Sequence, residues 1–464
     1  MVSALPVVSR ELRVRRVQNW VLLGLMYGFF YMSRYNFSAV QAAIAEQFGW
    51  THADFAWVVK AGTFVYGWAV FLNGPLADRM GGKRAILIGA AGAAVFNFLF
   101  GLCHLLLRQP AVMEGGQVVT PAEIAMGMSN STALATFTVL WACNFYFQSF
   151  GALSIVKINA AWFHITERGK FAGIFGIMIQ TGRTLAFMAG PAILRLLPWQ
   201  YVFWIPAAIL AAMFIIIYLG VENSPKDAGF DEFDTGDETP EEAREQASLG
   251  FVLRKVFARR APWIIALSSM CIGMVRNAVD HWFPRYIHGV FHIPAKSLAT
   301  FAPYQVASFL MPVAAILGGL AAGNASDRLF GSRRAPVIFI AFIGQAACLL
   351  LLRGSLYSAW SACATLILVS FFIQSAHSLV GGAASMDFGG RKAVATAAGL
   401  FDGAQYLAGA IVSDLLGRVL TSQVDPARPG AEFLYWPLVP LPFALLGALL
   451  ISRLWHARPG RGGH

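Results

Sequence analysis

The chain reads as an all-α membrane protein, with twelve transmembrane helices in two pseudo-symmetric halves of six. Three observations carry that expectation. Of its 464 residues 57% are apolar and only 13% charged, with a mean hydropathy of +0.60, whereas a soluble chain of this length would form two or three domains with more polar surface. Stretches almost free of charge recur along it, among them 20–33, 85–107, 202–221 and 337–352; apolar runs of about 17–25 residues cross a hydrocarbon core about 30 Å thick. Finally, one charged loop motif occurs twice, at matching places in the two halves.

Helices are predicted over 17–46, 53–77, 84–106, 132–156, 171–193, 201–220, 262–289, 299–323, 335–352, 360–384, 393–419 and 436–454. Ahead of the first lie Arg10, Arg13, Arg15 and Arg16, a basic start that a signal peptide would share. No small-residue cleavage site follows, and the apolar run continues into Ser33-Arg34-Tyr35-Asn36, which suits a retained first helix. Between the sixth and seventh spans, Glu222 to Arg260 is rich in Asp and Glu and holds Pro225 and Pro240, so it cannot cross a membrane. The expected division is therefore an N-terminal half, 1–221, a cytoplasmic linker, 222–260, and a C-terminal half, 261–464. The outer segment from Arg108 to Ser131 is longer than the other outer loops and shows no chemistry.

The formal charge of +11 is a topology signal. With the amino terminus inside, about 24 of the 35 Lys and Arg fall in cytoplasmic segments and about 7 outside, the bias that insertion produces. This predicts a multi-pass protein of the cytoplasmic (inner) membrane with both termini cytoplasmic, partnered by lipid and not by nucleic acid. The remaining four, Arg34, Lys60, Arg183 and Arg276, lie inside predicted spans. The five cysteines sit in or beside apolar spans without CxxC or metal-ligand spacing and read as small buried residues. No nucleophile–base set, metal cluster or nucleotide loop is visible, so neither an enzyme nor a cofactor is expected.

The doubled motif reads GPLADRMGGKR at 74–84 and GNASDRLFGSRR at 323–334. Glycine lets helices approach, while Asp78 and Asp327 can cap or pair with cations at helix ends. Gly-x-x-x-Asp-Arg followed by Gly and two basic residues resembles the cytoplasmic loop signature of the major facilitator superfamily. That resemblance implies two rocking halves with substrate bound between them near the midplane. It gives Asp78, Arg79, Asp327 and Arg328 a gating and structural part, away from substrate.

The charged centre points to the substrate. Arg34 lies about 14 residues beyond Trp20 and Arg276 about 14 beyond Pro262, which puts both roughly 20 Å along corresponding helices, near mid-membrane. A guanidinium there costs at least about 2.5 kcal/mol, so each must face the interior and meet an anion. Two of them make a centre near +2, matching a phosphate monoester of about −1.5 to −2, and the planar fork fits phosphate oxygens. The competing reading is a local ion pair: Arg276 has Asp280 at i+4, whereas Arg34 has no acid within a turn. Tyr27 and Tyr31 share a face with Arg34 at i−7 and i−3.

Tyr27, Tyr31 and Arg34 in MYGFFYMSRYNFS, VRNAVDHW around Arg276, Tyr66-Gly67, ITERGK, NSPKDAGF and TAAGLFDGAQYLAG follow one another along the chain. In that order they resemble the organophosphate:phosphate antiporters, a family with glycerol-3-phosphate and hexose-6-phosphate transporters. The resemblance implies exchange of a phosphorylated organic anion for inorganic phosphate by a monomer, with Arg34 and Arg276 clamping phosphate and Tyr66 and Tyr406 lining the pocket. The chain also departs from that pattern: Val70 stands where glycerol-3-phosphate transporters place a lysine, Ile179 where they place a histidine, and Gln374, followed by His377, where a tyrosine is expected. It adds Lys60, Arg183 and Asp402 within the membrane. These changes disfavour glycerol 3-phosphate itself. Asp402 either pairs across helices, with Arg183 or another cation, or serves as a protonatable group. Two other functions stay open: a proton-coupled carboxylate symporter, which Asp402 favours and Arg276 opposes, and a non-transporting sugar-phosphate sensor.

Overall fold

The computed structural model describes residues 9–114, 117–163, 168–231, 260–331, 333–380 and 385–456. Within them the chain forms twelve α-helices: α1 (Arg10–Phe48), α2 (His52–Met80), α3 (Gly82–Leu102), α4 (Asn130–Trp162), α5 (Arg168–Leu196), α6 (Tyr201–Gly220), α7 (Arg260–Phe291), α8 (Ala302–Leu329), α9 (Arg334–Ser355), α10 (Ala359–Ser378), α11 (Ser385–Ser422) and α12 (Leu441–Ser452). Local chemistry sets several ends. The Ser9 side chain accepts from the Leu12 amide to start α1, and Gly49, at φ 68°, takes the left-handed turn that stops it. Thr51 and Asp54 then close a reciprocal capping box that starts α2.

Nine helical segments among the described residues are long and apolar enough to cross a membrane. The helices α1, α5 and α11 are not among them; they carry Arg34, Arg183 and Asp402, polar residues retained at a cost in hydropathy. The two halves repeat in their packing. Helix α1 lies against α5 and α6 as α7 lies against α11 and α12; α2 meets α4 as α8 meets α10; α3 meets α6 as α9 meets α12. Across the halves α2 packs on α11 and α5 on α8, contacts that the same pairing exchanges. Glycines permit the closest crossings: a Cβ on Gly182 would fall 1.9 Å from the Gly28 carbonyl oxygen, and one on Gly273 would fall 2.3 Å from that of Gln405.

Several expectations need adjusting. Helices α1, α4 and α11 run well beyond the apolar stretches that predicted them, because polar turns outside the bilayer continue the same backbone hydrogen bonding. The long segment from Arg108 to Ser131, expected on the outer side, is not a plain loop. It forms two antiparallel pairs, β1 (Leu107–Gln109) with β4 (Glu123–Ile124) and β2 (Val112–Glu114) with β3 (Gln117–Thr120). Of the expected linker only 222–231 and Arg260, the first residue of α7, are described, and ITE of the ITERGK motif also lies outside the described residues. The start of the linker is a knot on the face that carries the amino terminus. Asn223 Oδ1 accepts from the Lys83 amide at the start of α3, Glu222 pairs with the Lys83 ammonium at 2.9 Å, and Trp162 Nε1 donates to the Glu222 carbonyl.

Of the four loop-motif residues, Asp327 pairs with Arg334 at 2.7 Å across the turn from α8 to α9, while Arg79 and Arg328 are exposed. The Asp78 side chain lies outside the described residues.

Candidate functional site

Helix α1 delivers Arg34 to the junction of the halves. The residue is 1% exposed, and its guanidinium is held from three sides. Nε donates to Gln148 Oε1 of α4 at 2.8 Å, and Nη1 donates to the Tyr406 hydroxyl of α11 at 2.8 Å. The charge lies 4.6 Å from the Tyr31 ring centre and 4.5 Å from that of Tyr66, cation–π contacts that favour the charged form without neutralising it. Nη2 has no hydrogen-bond partner among the described residues.

A buried ladder fixes the plane of that guanidinium. Gln148 Nε2 donates to Asn144 Oδ1, Asn97 Nδ2 donates to the same oxygen, and Asn36 Nδ2 donates to Asn97 Oδ1, all at 2.9–3.0 Å. Three helices of one half thus hold a carboxamide oxygen against Arg34, with no carboxylate paired to it among the described residues. Asn36 was named in the sequence only as a neighbour of Arg34, and Asn97, Asn144 and Gln148 were not singled out. Scattered Asn and Gln in apolar helices were the available signal, since an unpaired amide in such surroundings is costly.

Arg276 approaches from α7. Its guanidinium carbon sits 5.2 Å from the Tyr406 ring centre, so one tyrosine is shared by both arginines. Tyr66 closes against Tyr406 at 4.1 Å between ring centres. Among the described residues neither Arg34 nor Arg276 forms an ion pair. Asp280, the expected partner of Arg276 one turn along α7, is instead held by Arg183 of α5, whose Nη1 lies 2.9 Å from Oδ1 and 3.0 Å from Oδ2. Tyr35 reaches the same carboxylate at 3.5 Å.

The other candidates divide. Tyr27 packs edge-on against Tyr31 at 5.3 Å and is buried behind it. Asp402 lies one turn before Tyr406, with Arg276 and then Arg34 as the charges acting on it. It has no ion pair among the described residues, and the partnership with Arg183 is excluded because Asp280 occupies that cation. Lys60 is elsewhere: its ammonium is 3.0 Å from Asp414 on α11, which also holds Arg418, and it lies over the half-exposed Trp57 ring. Gln374 is half-buried near Gly319 of α8, and His377 bonds Gln405 at 2.9 Å. Val70 is buried against α11, and Ile179 packs against the apolar cluster that includes Tyr27.

Toward the face opposite the amino terminus, hydrogen bonds join the halves. Ser38 Oγ and His281 Nδ1 are 2.6 Å apart, and Gln41 Nε2 donates to the His281 carbonyl. A further buried arginine, Arg285, donates from Nε to His52 Nδ1 at 2.6 Å and from Nη1 to Gln41 Oε1, while His52 Nε2 meets Glu432 at 3.3 Å. Stacked Tyr31, Tyr35 and His281 rings connect this seal to the arginine centre.

Two guanidiniums without carboxylate ion pairs among the described residues lie beside tyrosines at the junction of two repeated bundles, the architecture of a two-half membrane transporter. Residues 23–413 match the Major Facilitator Superfamily, and the chain belongs to that family. It is 27% identical over 420 residues to the glycerol-3-phosphate transporter of Bacillus subtilis (strain 168), covering 88% of this chain and 87% of that protein. It is 24% identical to the membrane sensor protein UhpC of Salmonella typhimurium, covering 89% and 87%. To a probable hexose phosphate transport protein of Chlamydia trachomatis it is 22% identical, covering 89% and 86%. These relatives fall in the organophosphate group that the motifs resemble. The fold superposes on a bacterial homolog of the human lysosomal transporter Spinster with a TM-score of 0.72 at 12% identity, over 98% of this chain and all of that one.

Proposed function

We propose that this chain is a secondary transporter that binds a phosphorylated organic anion between its halves and exchanges it for inorganic phosphate by alternating access. The observation that carries the reading is the arginine pair: Arg34 and Arg276 converge on Tyr406 with no ion-pair partner among the described residues. Closing the protein around an empty site would desolvate two cations, at several kcal/mol each in an idealised account. An anion in the site removes that penalty, so the return step favours a phosphate-loaded carrier. Tyr66, Tyr31 and Tyr406 form the walls, and Asp402 faces the organic part. With hydrophobic Val70 and Ile179 at two polar positions of the glycerol-3-phosphate pattern, the pocket favours a bulkier phosphorylated compound, such as a sugar phosphate. The charge bias of the loops supports cytoplasmic termini and a place in the cytoplasmic membrane. One chain supplies the whole site, so a monomer suffices.

Counterflow into liposomes loaded with inorganic phosphate tests this, using sugar phosphates, triose phosphates, glycerol 3-phosphate and carboxylates. Uptake of a phosphorylated compound that requires internal phosphate and ignores a proton gradient is expected. Carboxylate uptake driven by protons would overturn the proposal and assign Asp402 to proton transfer. Tight binding without any counterflow would establish the sensing role instead, the reading that the likeness to a membrane sensor supports.

A further inference from the structure

Arg276 and Asp280 stand one turn apart on α7, the spacing at which a cation and a carboxylate normally neutralise one another. Here they do not pair. Both oxygens of Asp280 are taken by Nη1 of Arg183, which reaches across from the other half, and the Tyr35 hydroxyl lies 3.5 Å from Oδ2. Arg183 and Asp280 are 7% and 3% exposed. In such surroundings an ionised carboxylate deprived of its partner takes the next available cation, because leaving it unpaired is costly. Arg276 is that cation.

We propose that Arg183 is a positioning residue for anion binding: by occupying Asp280 it keeps Arg276 unpaired and available to the phosphoryl group. The inference rests on the phosphorylated-anion reading above. Arg183 itself need not touch the substrate. Its bond also spans α5 and α7, and so ties the charge state of the site to the closed contact between the halves.

The two possible parts for Arg183, freeing Arg276 or simply latching the halves, make opposite demands on a double variant. In Arg183→Leu, Asp280 is released to Arg276, and affinity for inorganic phosphate should fall by about tenfold or more, measured on the purified full chain. In Arg183→Leu/Asp280→Asn the latch is equally lost but residue 280 no longer carries a charge to quench Arg276, so affinity should return to within about threefold of the parent. Arg183→Lys, which keeps a cation beside Asp280, should also remain near the parent. Unchanged affinity in Arg183→Leu overturns the inference, and so does a double variant as weak as the single one. If Arg183→Leu does not fold, Arg183→Gln, alone and with Asp280→Asn, takes its place under the same criteria. A parent protein that binds neither phosphate nor any phosphorylated compound sinks the functional reading and this inference together. A parent that binds while the double variant is not rescued sinks the inference alone.

Discussion

At the scale of single residues, the choice of a carboxamide at position 148 decides the charge of the site. Gln148 offers Arg34 Nε an acceptor at 2.8 Å and adds no negative charge. Gln148→Glu keeps the shape but supplies a carboxylate to the same nitrogen. A hydrogen bond between charged partners contributes about 1.5–3 kcal/mol, so phosphate should bind roughly 10–100-fold more weakly by isothermal titration while the protein remains folded. Arg34→Lys makes the complementary test. It keeps the charge but replaces the planar fork, which spans Gln148, Tyr406 and the unpartnered Nη2, with a single tetrahedral nitrogen. Affinity should drop about tenfold or more, and equal binding by Arg34→Lys and Arg276→Lys would remove the clamp. The arginines, the tyrosines and Asp402 were legible as site candidates because charge and hydroxyls stand out in apolar helices. Gln148 and its asparagine ladder were not, since an amide shows its part only when its partners on two other helices are known. Lys60 looked the same in sequence as Arg34; its neutralising Asp414 is 354 positions away.

Helices meet in this molecule where glycine removes the side chain. At the crossing of α1 and α5, Gly182 faces the Gly28 carbonyl, and a methyl group there would overlap rigid backbone. Forcing a methyl into a packed crossing costs about 1–3 kcal/mol. Gly182→Ala should therefore melt at lower temperature in detergent and shift the face that carries Arg34. Gly176→Ala on the same helix meets nothing within 4 Å and serves as the control. Equal melting temperatures for the two would show that the crossing is looser than its geometry indicates. Element count and order were readable from hydropathy. Helix ends were not, because α1, α4 and α11 continue past the bilayer where hydropathy carries no signal, and the β pairs of the outer segment rest on cross-strand partners that no local pattern announces.

For the whole molecule, the seal on the face opposite the amino terminus sets which side the site opens to. Arg285 contributes two hydrogen bonds between the halves, to His52 and Gln41. At about 1 kcal/mol each, their loss shifts the balance between the two access states by roughly tenfold or more. Arg285→Gln should thus speed modification of a cysteine placed at Tyr31 by an impermeant thiol reagent applied from that face. An unchanged rate would mean that the remaining contacts, Ser38 with His281 and Lys60 with Asp414, suffice to hold the seal.

The sequence by itself determined the membrane class, the twelve helices, the repeated halves and the two arginines at matching depth, because bilayer thickness and the cost of buried charge act on each helix separately. Which cation meets which carboxylate was decided only by the tertiary structure. Arg276 has Asp280 one turn away and Asp402 had Arg183 as a candidate, yet Arg183 and Asp280 pair across the halves and leave Arg276 unpaired. Ion pairing depends on distances of a few ångströms in a poorly polarisable interior. Such distances are set by how α5 and α7 are packed against one another, which spacing along either helix does not contain.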